Sequence, residues 1–229
     1  AAFFAVNVLT PLWLQSFMGY TATLAGLVTA WTGLFALFVA PAAAGLAARV
    51  DPRRLIFGGV FWMGVITFWR AFATTDMGYW DIALPLMFMG LGLPFFFIPT
   101  TGLALASVEP HEMDNAAGLM NFLRTLSGSI GASIITTLWE RREAVHHEVL
   151  TEAINPYNPL SQQAMGQLQQ MGMSQAQAGG YLAREITRQG FVIGSNEIFY
   201  LSGSLFVVMI VIVWFAKPPF TTAGGGGEH

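Results

Sequence analysis

The feature that most constrains this chain is the recurrence of long apolar runs separated by short polar turns. A helix that crosses a bilayer needs about 20 mostly apolar residues. Runs close to that length predict six membrane-spanning helices, at residues 1–17, 22–48, 55–73, 82–108, 115–139 and 198–216. The sequence therefore predicts an all-α integral membrane protein.

Composition agrees with this class. The chain is 54% hydrophobic and 10% charged, whereas soluble domains carry about 25% charged residues. Its net charge of −3 excludes a strongly basic surface for nucleic acid, and the absence of cysteine excludes a disulfide framework. The chain begins without Met, inside an apolar run that lacks the features of a signal peptide, so we expect a piece of a longer protein.

Common catalytic motifs are missing from the sequence. There is no GxxxxGK[ST] loop for a nucleotide, and Gly90-Leu91-Gly92 lacks the third glycine of a dinucleotide site. The stretch His146-His147-Glu148 lacks the second histidine of a zinc protease motif, because Thr151 occupies that position. We therefore expect a solvated histidine pair, no metal site, no cofactor and no enzyme; an intramembrane enzyme is a distant alternative.

A polar segment at residues 140–197 divides the fifth span from the sixth. We expect the fifth helix to continue to Ala153, a turn at 155–159, a helix from Ser161 to Met171, and another from Ser174 to Arg188. The segment is either a solvated connector or a docking surface for a partner. A Gly- and Pro-rich tail, residues 217–229, follows the last span and is expected to be flexible.

Basic residues predict the orientation of the spans. Arg49, Arg53 and Arg54 lie in the turn after the second span, and Lys217 follows the sixth. Short basic loops remain in the cytoplasm. The turns 49–54 and 109–114 and the C-terminus are therefore expected in the cytoplasm, with residues 140–197 outside.

The fifth span carries one full charge, Arg124, inside an otherwise uncharged run at 115–139. At helical spacing its two faces differ. One is small and polar (Gly118, Asn121, Arg124, Thr125, Gly128, Gly131, Ala132), and the other is apolar (Leu119, Phe122, Leu126, Ile130, Ile134). An intramembrane arginine normally faces a bundle interior or a pathway. It is either a transport residue or a structural link between helices.

Further polar groups within spans are candidates for a substrate cavity. They are Asn7, Gln15, Thr100, Thr101, Asn121 and Arg124, with Phe96 beside them because Pro94 is expected to break the fourth helix. Each of these residues, taken alone, more often makes a helix–helix hydrogen bond than a substrate contact. Since no acid lies in mid-span, Glu197, at the outer end of the sixth span, is the candidate for proton coupling.

Several stretches resemble one transporter family. The runs PLWLQSFMGYTATLAGL (11–27), NFLRTLSGSIGAS (121–133), NEIFYLSG (196–203) and FAKPP (215–219) are similar to the fourteen-span drug:proton antiporters of the major facilitator superfamily, as is the DPRR turn after the second span. The resemblance extends over nearly the whole chain, and it is specific because the stretches occur together. It implies that the six spans form the C-terminal bundle of such a transporter.

The same resemblance implies proton-driven export of hydrophobic drugs across a bacterial inner membrane, with no cofactor beyond the proton gradient. It also implies a periplasmic adaptor protein that bridges to an outer-membrane channel. Asp51, Arg53 and Arg54 are similar to a weak second copy of the family's cytoplasmic gate, while the proton-relay acids would belong to the absent half. Within transport, a permease for a metabolite or siderophore is the alternative; outside it, a non-transporting membrane scaffold.

Overall fold

The computed structural model describes residues 2–74, 76–106, 108–155 and 157–215. Over these residues the chain forms α1 (Ala2–Phe17), α2 (Ala22–Ala47), α3 (Pro52–Arg70), α4 (Tyr79–Leu105), α5 (Met113–Ala153), α6 (Pro159–Gln170) and α7 (Gln175–Phe215). The same residues contain no β-strand. The all-α prediction is confirmed, and the predicted tail lies outside the described residues.

Local sequence explains where the helices begin. The Thr21 hydroxyl accepts a hydrogen bond from the Leu24 amide (3.3 Å), and the Asp51 carboxylate accepts one from the Arg53 amide (2.9 Å). Such side chains satisfy amides that the first helical turn leaves without partners. Gly19, at φ 69°, makes the turn between α1 and α2, in a backbone region that glycine enters without strain.

The helices pack as a ring. α4 lies between α2 and α3, α3 continues the contact to α7, α7 packs on α5, α5 on α1, and α1 on α2. Two clusters of buried side chains fill this arrangement. One includes Leu14, Ala83, Trp139 and Phe199, and the other, between α3, α4 and α7, includes Met63.

These clusters distinguish the two ends of the bundle. Phe17 stacks on Phe191, and the Asn196 amide donates a hydrogen bond to the Ala73 carbonyl. The turns after α1 and α3 therefore lie at the end of the bundle from which residues 140–197, the extension, project. This end is called the extension end below. Ile56 and Leu103 share a cluster at the opposite end. The turns near residues 49–54 and 109–114 therefore lie together, away from the extension.

Much of the outer surface is apolar. Phe38 is 73% exposed and Phe122 61% exposed. Among the described residues, three helices are long and apolar enough by composition to cross a membrane: α2, α4 and residues Gln175–Val213 of α7. α1 is 16 residues long, α3 carries arginines near both ends, and serine, threonine and glycine dilute α5. These features explain why α1, α3 and α5 fall short, so that the six-span arrangement stays a prediction.

Two expectations about helix continuity were wrong. We expected Pro94 to break the fourth helix, yet α4 is continuous from Tyr79 to Leu105. A proline removes only one backbone hydrogen bond, and packing on both sides stabilises this helix. The helix expected to end at Arg188 instead continues into the last span as α7. The fifth helix does continue to Ala153, as expected.

Close helix contacts hold α4 in place. A methyl group added at Gly59 of α3 would lie 2.9 Å from the Phe96 backbone nitrogen, and one at Gly92 of α4 would lie 2.9 Å from the Trp62 ring. Side chains at these positions would force the two helices apart. In a bilayer such close approach is a main source of helix association.

We predict that Gly59→Ala in the full-length parent destabilises the folded protein by about 1–3 kcal/mol, because overpacking costs this much. The matched control is Gly58→Ala, where nothing lies within 4 Å of the added methyl group. Thermal unfolding in detergent should show a lower midpoint for Gly59→Ala alone. Equal midpoints for the two variants would contradict this packing.

Candidate functional site

The arginine inside the apolar run of α5 lies at a contact between α5 and α4. Arg124 is half-buried, and its Nη2 donates a hydrogen bond to the Thr101 hydroxyl (3.3 Å). The guanidinium carbon lies 5.3 Å from the centre of the Phe97 ring. Arg124, Thr101 and Phe97 form the arginine site.

The Arg124 guanidinium has more N–H groups than its contacts with the described residues use. A guanidinium carries five N–H groups, and over the described residues its recorded partners are the Thr101 hydroxyl and the Phe97 ring. None of its recorded contacts is to a carboxylate. The site can therefore bind an oxygen-bearing or anionic group while the aromatic ring contacts an apolar one.

The aromatic residue at this site differs from the one that sequence reasoning selected. Phe96 and Phe97 both pack against the cluster between α3, α4 and α7, but it is the Phe97 ring that lies beside the Arg124 guanidinium, and it also contacts Phe3. Consecutive helical residues point about 100° apart, so only one of the two can face α5.

The other cavity candidates bond mainly within their own helices. Asn7 donates to the Phe3 carbonyl (2.9 Å), Gln15 to the Pro11 carbonyl (3.1 Å), and Thr100 to the Phe96 carbonyl (2.6 Å). Such bonds to the preceding turn satisfy a polar side chain without a partner on another helix. Asn121 is exposed on the polar face of α5, three residues before Arg124. Of these candidates, the structure brings Arg124 and Thr101 together across helices.

The two faces of α5 differ in the structure as in the sequence. The apolar face is open, with Leu119, Phe122, Leu126, Ile130 and Ile134 each more than two-fifths exposed. On the small, polar face, Gly128 and Gly131 are buried, whereas Gly118, Asn121 and Thr125 are exposed in this chain alone. Towards the extension end, α5 therefore uses its small face to pack against the bundle, and it leaves the polar part of that face uncovered near Arg124.

Sequence reasoning gave little weight to a second arginine, Arg70. It is buried at the end of α3, where Nη2 donates to the Thr10 hydroxyl of α1 and the guanidinium lies 4.4 Å from the Phe199 ring of α7. A cavity of about 30 Å³ beside it is also lined by Asp81. The signal available in the sequence was an arginine inside the apolar run FWRAF at residues 68–72. Arg70 joins three helices at the extension end.

Glu197, the proton-coupling candidate, belongs to an ionic cluster between α5 and α7. Its carboxylate accepts two hydrogen bonds from Arg142, one of them 2.7 Å long, and lies 3.1 Å from His146 Nε2. The Arg142 hydrogen bonds hold the pKa of Glu197 below its ordinary value. The pair therefore contributes stability above the ordinary carboxyl pKa, and this is lost as pH falls through the lowered one. A carboxylate with a lowered pKa is ionised at neutral pH.

The histidines expected to be solvated also join the two long helices. His146 faces Glu197, and His147 lies 3.3 Å from Glu143 and 3.4 Å from the Thr187 hydroxyl of α7. Over the described residues no group of acids and histidines has the arrangement of a metal site.

The three gate candidates have different environments. Asp51 caps α3, Arg53 is half-buried and takes part in an interaction, and Arg54 is exposed. The structure thus places the acid at the helix start and directs the two arginines into different surroundings.

Comparison with known proteins assigns the fold to a family. Residues 1–132 match the model of the Major Facilitator Superfamily. The chain belongs to this superfamily, whose members are membrane transporters.

The chain is also similar to named export proteins. It is 45% identical over 216 residues to the multidrug export protein EmrB of Haemophilus influenzae, covering 94% of this chain and 42% of that protein. It is 43% identical over 226 residues to EmrB of Escherichia coli K12, covering 98% of this chain and 44% of that protein. Identity to the fatty acid resistance protein FarB of Neisseria gonorrhoeae is 40% over 218 residues, covering 95% of this chain and 43% of that protein. The chain spans less than half the length of these curated relatives.

Proposed function

We propose that this chain is the C-terminal half of a proton-coupled transporter that exports hydrophobic compounds from a bacterial cell. The observation that carries the proposal is identity of 43–45% along almost the whole chain to two multidrug export proteins. The arginine site adds a physical reason, since it combines a half-buried cation, a hydroxyl and an aromatic ring on an otherwise apolar bundle.

In this proposal α1–α5 and α7 cross the inner membrane. The turns at 49–54 and 109–114 lie at one end of the bundle, and the basic residues there favour the cytoplasm. α5 and α7 are each 41 residues long, whereas about 20 residues span a bilayer. Half of each helix, with α6, would therefore extend about 30 Å into the periplasm.

Arg124 would contact substrate in the space between this bundle and the N-terminal one. Transporters of this kind bind near the midplane between their two halves. The exposed polar face of α5 around Asn121 supports this position, because a lipid-facing surface would not leave these groups uncovered. The positive charge favours neutral and anionic hydrophobic compounds over cations.

We predict that Arg124→Gln in the full-length parent lowers drug-driven proton flux about tenfold, a loss of about 1.4 kcal/mol that matches one hydrogen bond from the guanidinium to the substrate. Proteoliposomes carrying a pH gradient would receive a hydrophobic drug that is not itself a proton carrier, and gradient dissipation would be followed. Arg141→Gln, on the exposed extension of α5, is the matched control.

Each outcome of that experiment assigns a role. Flux in wild type and in Arg141→Gln, reduced in Arg124→Gln, supports antiport with Arg124 at the working surface. Equal flux in all three proteins makes Arg124 a structural link. No flux in any of them would favour a scaffold, or a permease for a metabolite or siderophore.

The extension is the proposed docking surface for a periplasmic adaptor of the EmrA type, which would connect the transporter to an outer-membrane channel. A groove of about 560 Å³ lies between the ends of α5, α6 and α7, lined in part by Ile154, Met165, Gly179 and Leu182. Apolar side chains nearby are open to solvent, with Tyr157 92% exposed. Exposed apolar surface outside the membrane is typical of a binding surface.

We predict that Gly179→Phe fills this groove and reduces cross-linking of the adaptor, because a bulky side chain occupies the docking volume. A side chain at Gly179 meets nothing within 4 Å, and the same holds for its neighbour Gly180, which lines a different surface. Gly180→Phe is therefore the matched control. Unchanged cross-linking in Gly179→Phe, with both variants folded, would place the adaptor elsewhere.

A further inference from the structure

A groove of about 420 Å³ runs between α3 and α4, away from the arginine site. Its lining consists of one charged residue, Arg54, and otherwise apolar ones, among them Gly58, Trp62, Leu91 and Phe95. The Trp62 indole closes one end, since its Nε1 donates to the Phe88 carbonyl at 2.6 Å. The groove is therefore a built feature, with an apolar trough and a fixed aromatic wall.

The groove opens on the outside of the bundle. On α4, Leu91 and Phe95 lie about 120° around the helix from Phe97 and Thr101, which face Arg124. On α3, the neighbouring exposed side chains are apolar and aromatic: Phe61, Trp62, Val65 and Trp69. In a membrane this surface is covered by lipid.

Arg54 supplies a charge at one mouth of the groove. It is exposed in the turn that begins α3, eight residues before Trp62, so guanidinium and indole bound a stretch of about 12 Å. No carboxylate of the described residues forms a recorded ion pair with it. A cation at the end of an apolar trough complements one class of molecule, an amphiphile with an anionic head.

We propose that this α3–α4 groove binds an anionic glycerophospholipid of the cytoplasmic leaflet. The phosphate accepts hydrogen bonds from the Arg54 guanidinium, which has the planar fork that suits a phosphate. One acyl chain lies along Gly58 towards Trp62. The proposal uses the membrane orientation given above and is independent of what the transporter carries.

Native mass spectrometry of the detergent-solubilised full-length parent tests the site without drug or proton gradient. The probes are dioleoyl phosphatidylglycerol and, as its zwitterionic counterpart, dioleoyl phosphatidylcholine. Arg54→Gln should weaken phosphatidylglycerol binding roughly fivefold, the effect of one cation near an anionic head group. Arg49→Gln, which removes another exposed arginine from the same turn, should leave it unchanged.

The trough has its own variant. Gly58→Leu fills the groove from a position where a side chain meets nothing within 4 Å, so the fold should be retained and lipid binding lost. Unchanged affinity in both Arg54→Gln and Gly58→Leu would overturn the proposal. Equal affinity for the two lipids would also overturn the proposal. Displacement of phosphatidylglycerol by excess inorganic phosphate would overturn it in favour of a soluble anion as the ligand. These lipid affinities are measured without transport, so a failure of the proposed transport function would not change them.

Discussion

The bundle depends on the close approach of α4 to its two neighbours. Gly59 and Gly92 allow α3 and α4 to meet without intervening side chains, and Gly90 lies against the α2 backbone at Thr32. Apolar side chains gain little from association inside a bilayer, so contacts between backbones carry much of the packing. This packing keeps the proline-containing α4 continuous, and α4 in turn presents Phe97 and Thr101 to Arg124.

Four arginines of the bundle differ in their partners. Arg70 is buried at the extension end, where it joins α1, α3 and α7, whereas Arg142 pairs with Glu197 between the two long helices. Arg124 has neither arrangement, because its recorded partners are a hydroxyl and a ring. Arg54, at the other end, is exposed beside an apolar groove. Of these four arginines, Arg70 and Arg142 thus have structural partners, whereas Arg124 and Arg54 retain N–H groups that can bind a ligand.

The sequence predicted the helices well and the contacts between them poorly. Apolar runs located α2 to α5, and the two faces of α5 emerged from spacing alone, because helical periodicity is a local property. Whether Phe96 or Phe97 faces Arg124 depends on how α4 is rotated, which its all-round apolar surface does not reveal. The continuity of α7 was missed because a shift from polar to apolar composition resembles the end of one helix and the start of another. The backbone hydrogen bonds of a helix can continue through such a shift, as they do in α7. Arg70 was undervalued since its partners, Thr10 and Phe199, are distant in sequence.

We infer that the polar face of α5 near Arg124 borders a water-accessible pathway while its apolar face meets lipid. This chain contains no cysteine, so single cysteines at Asn121 and at Phe122 can be compared in a full-length parent freed of any others. Inside-out vesicles would be treated with a membrane-impermeant maleimide, with and without drug. The account predicts that Asn121→Cys is labelled, that drug slows its labelling, and that Phe122→Cys stays unlabelled. Equal labelling of the two, or labelling of Phe122→Cys alone, would contradict it.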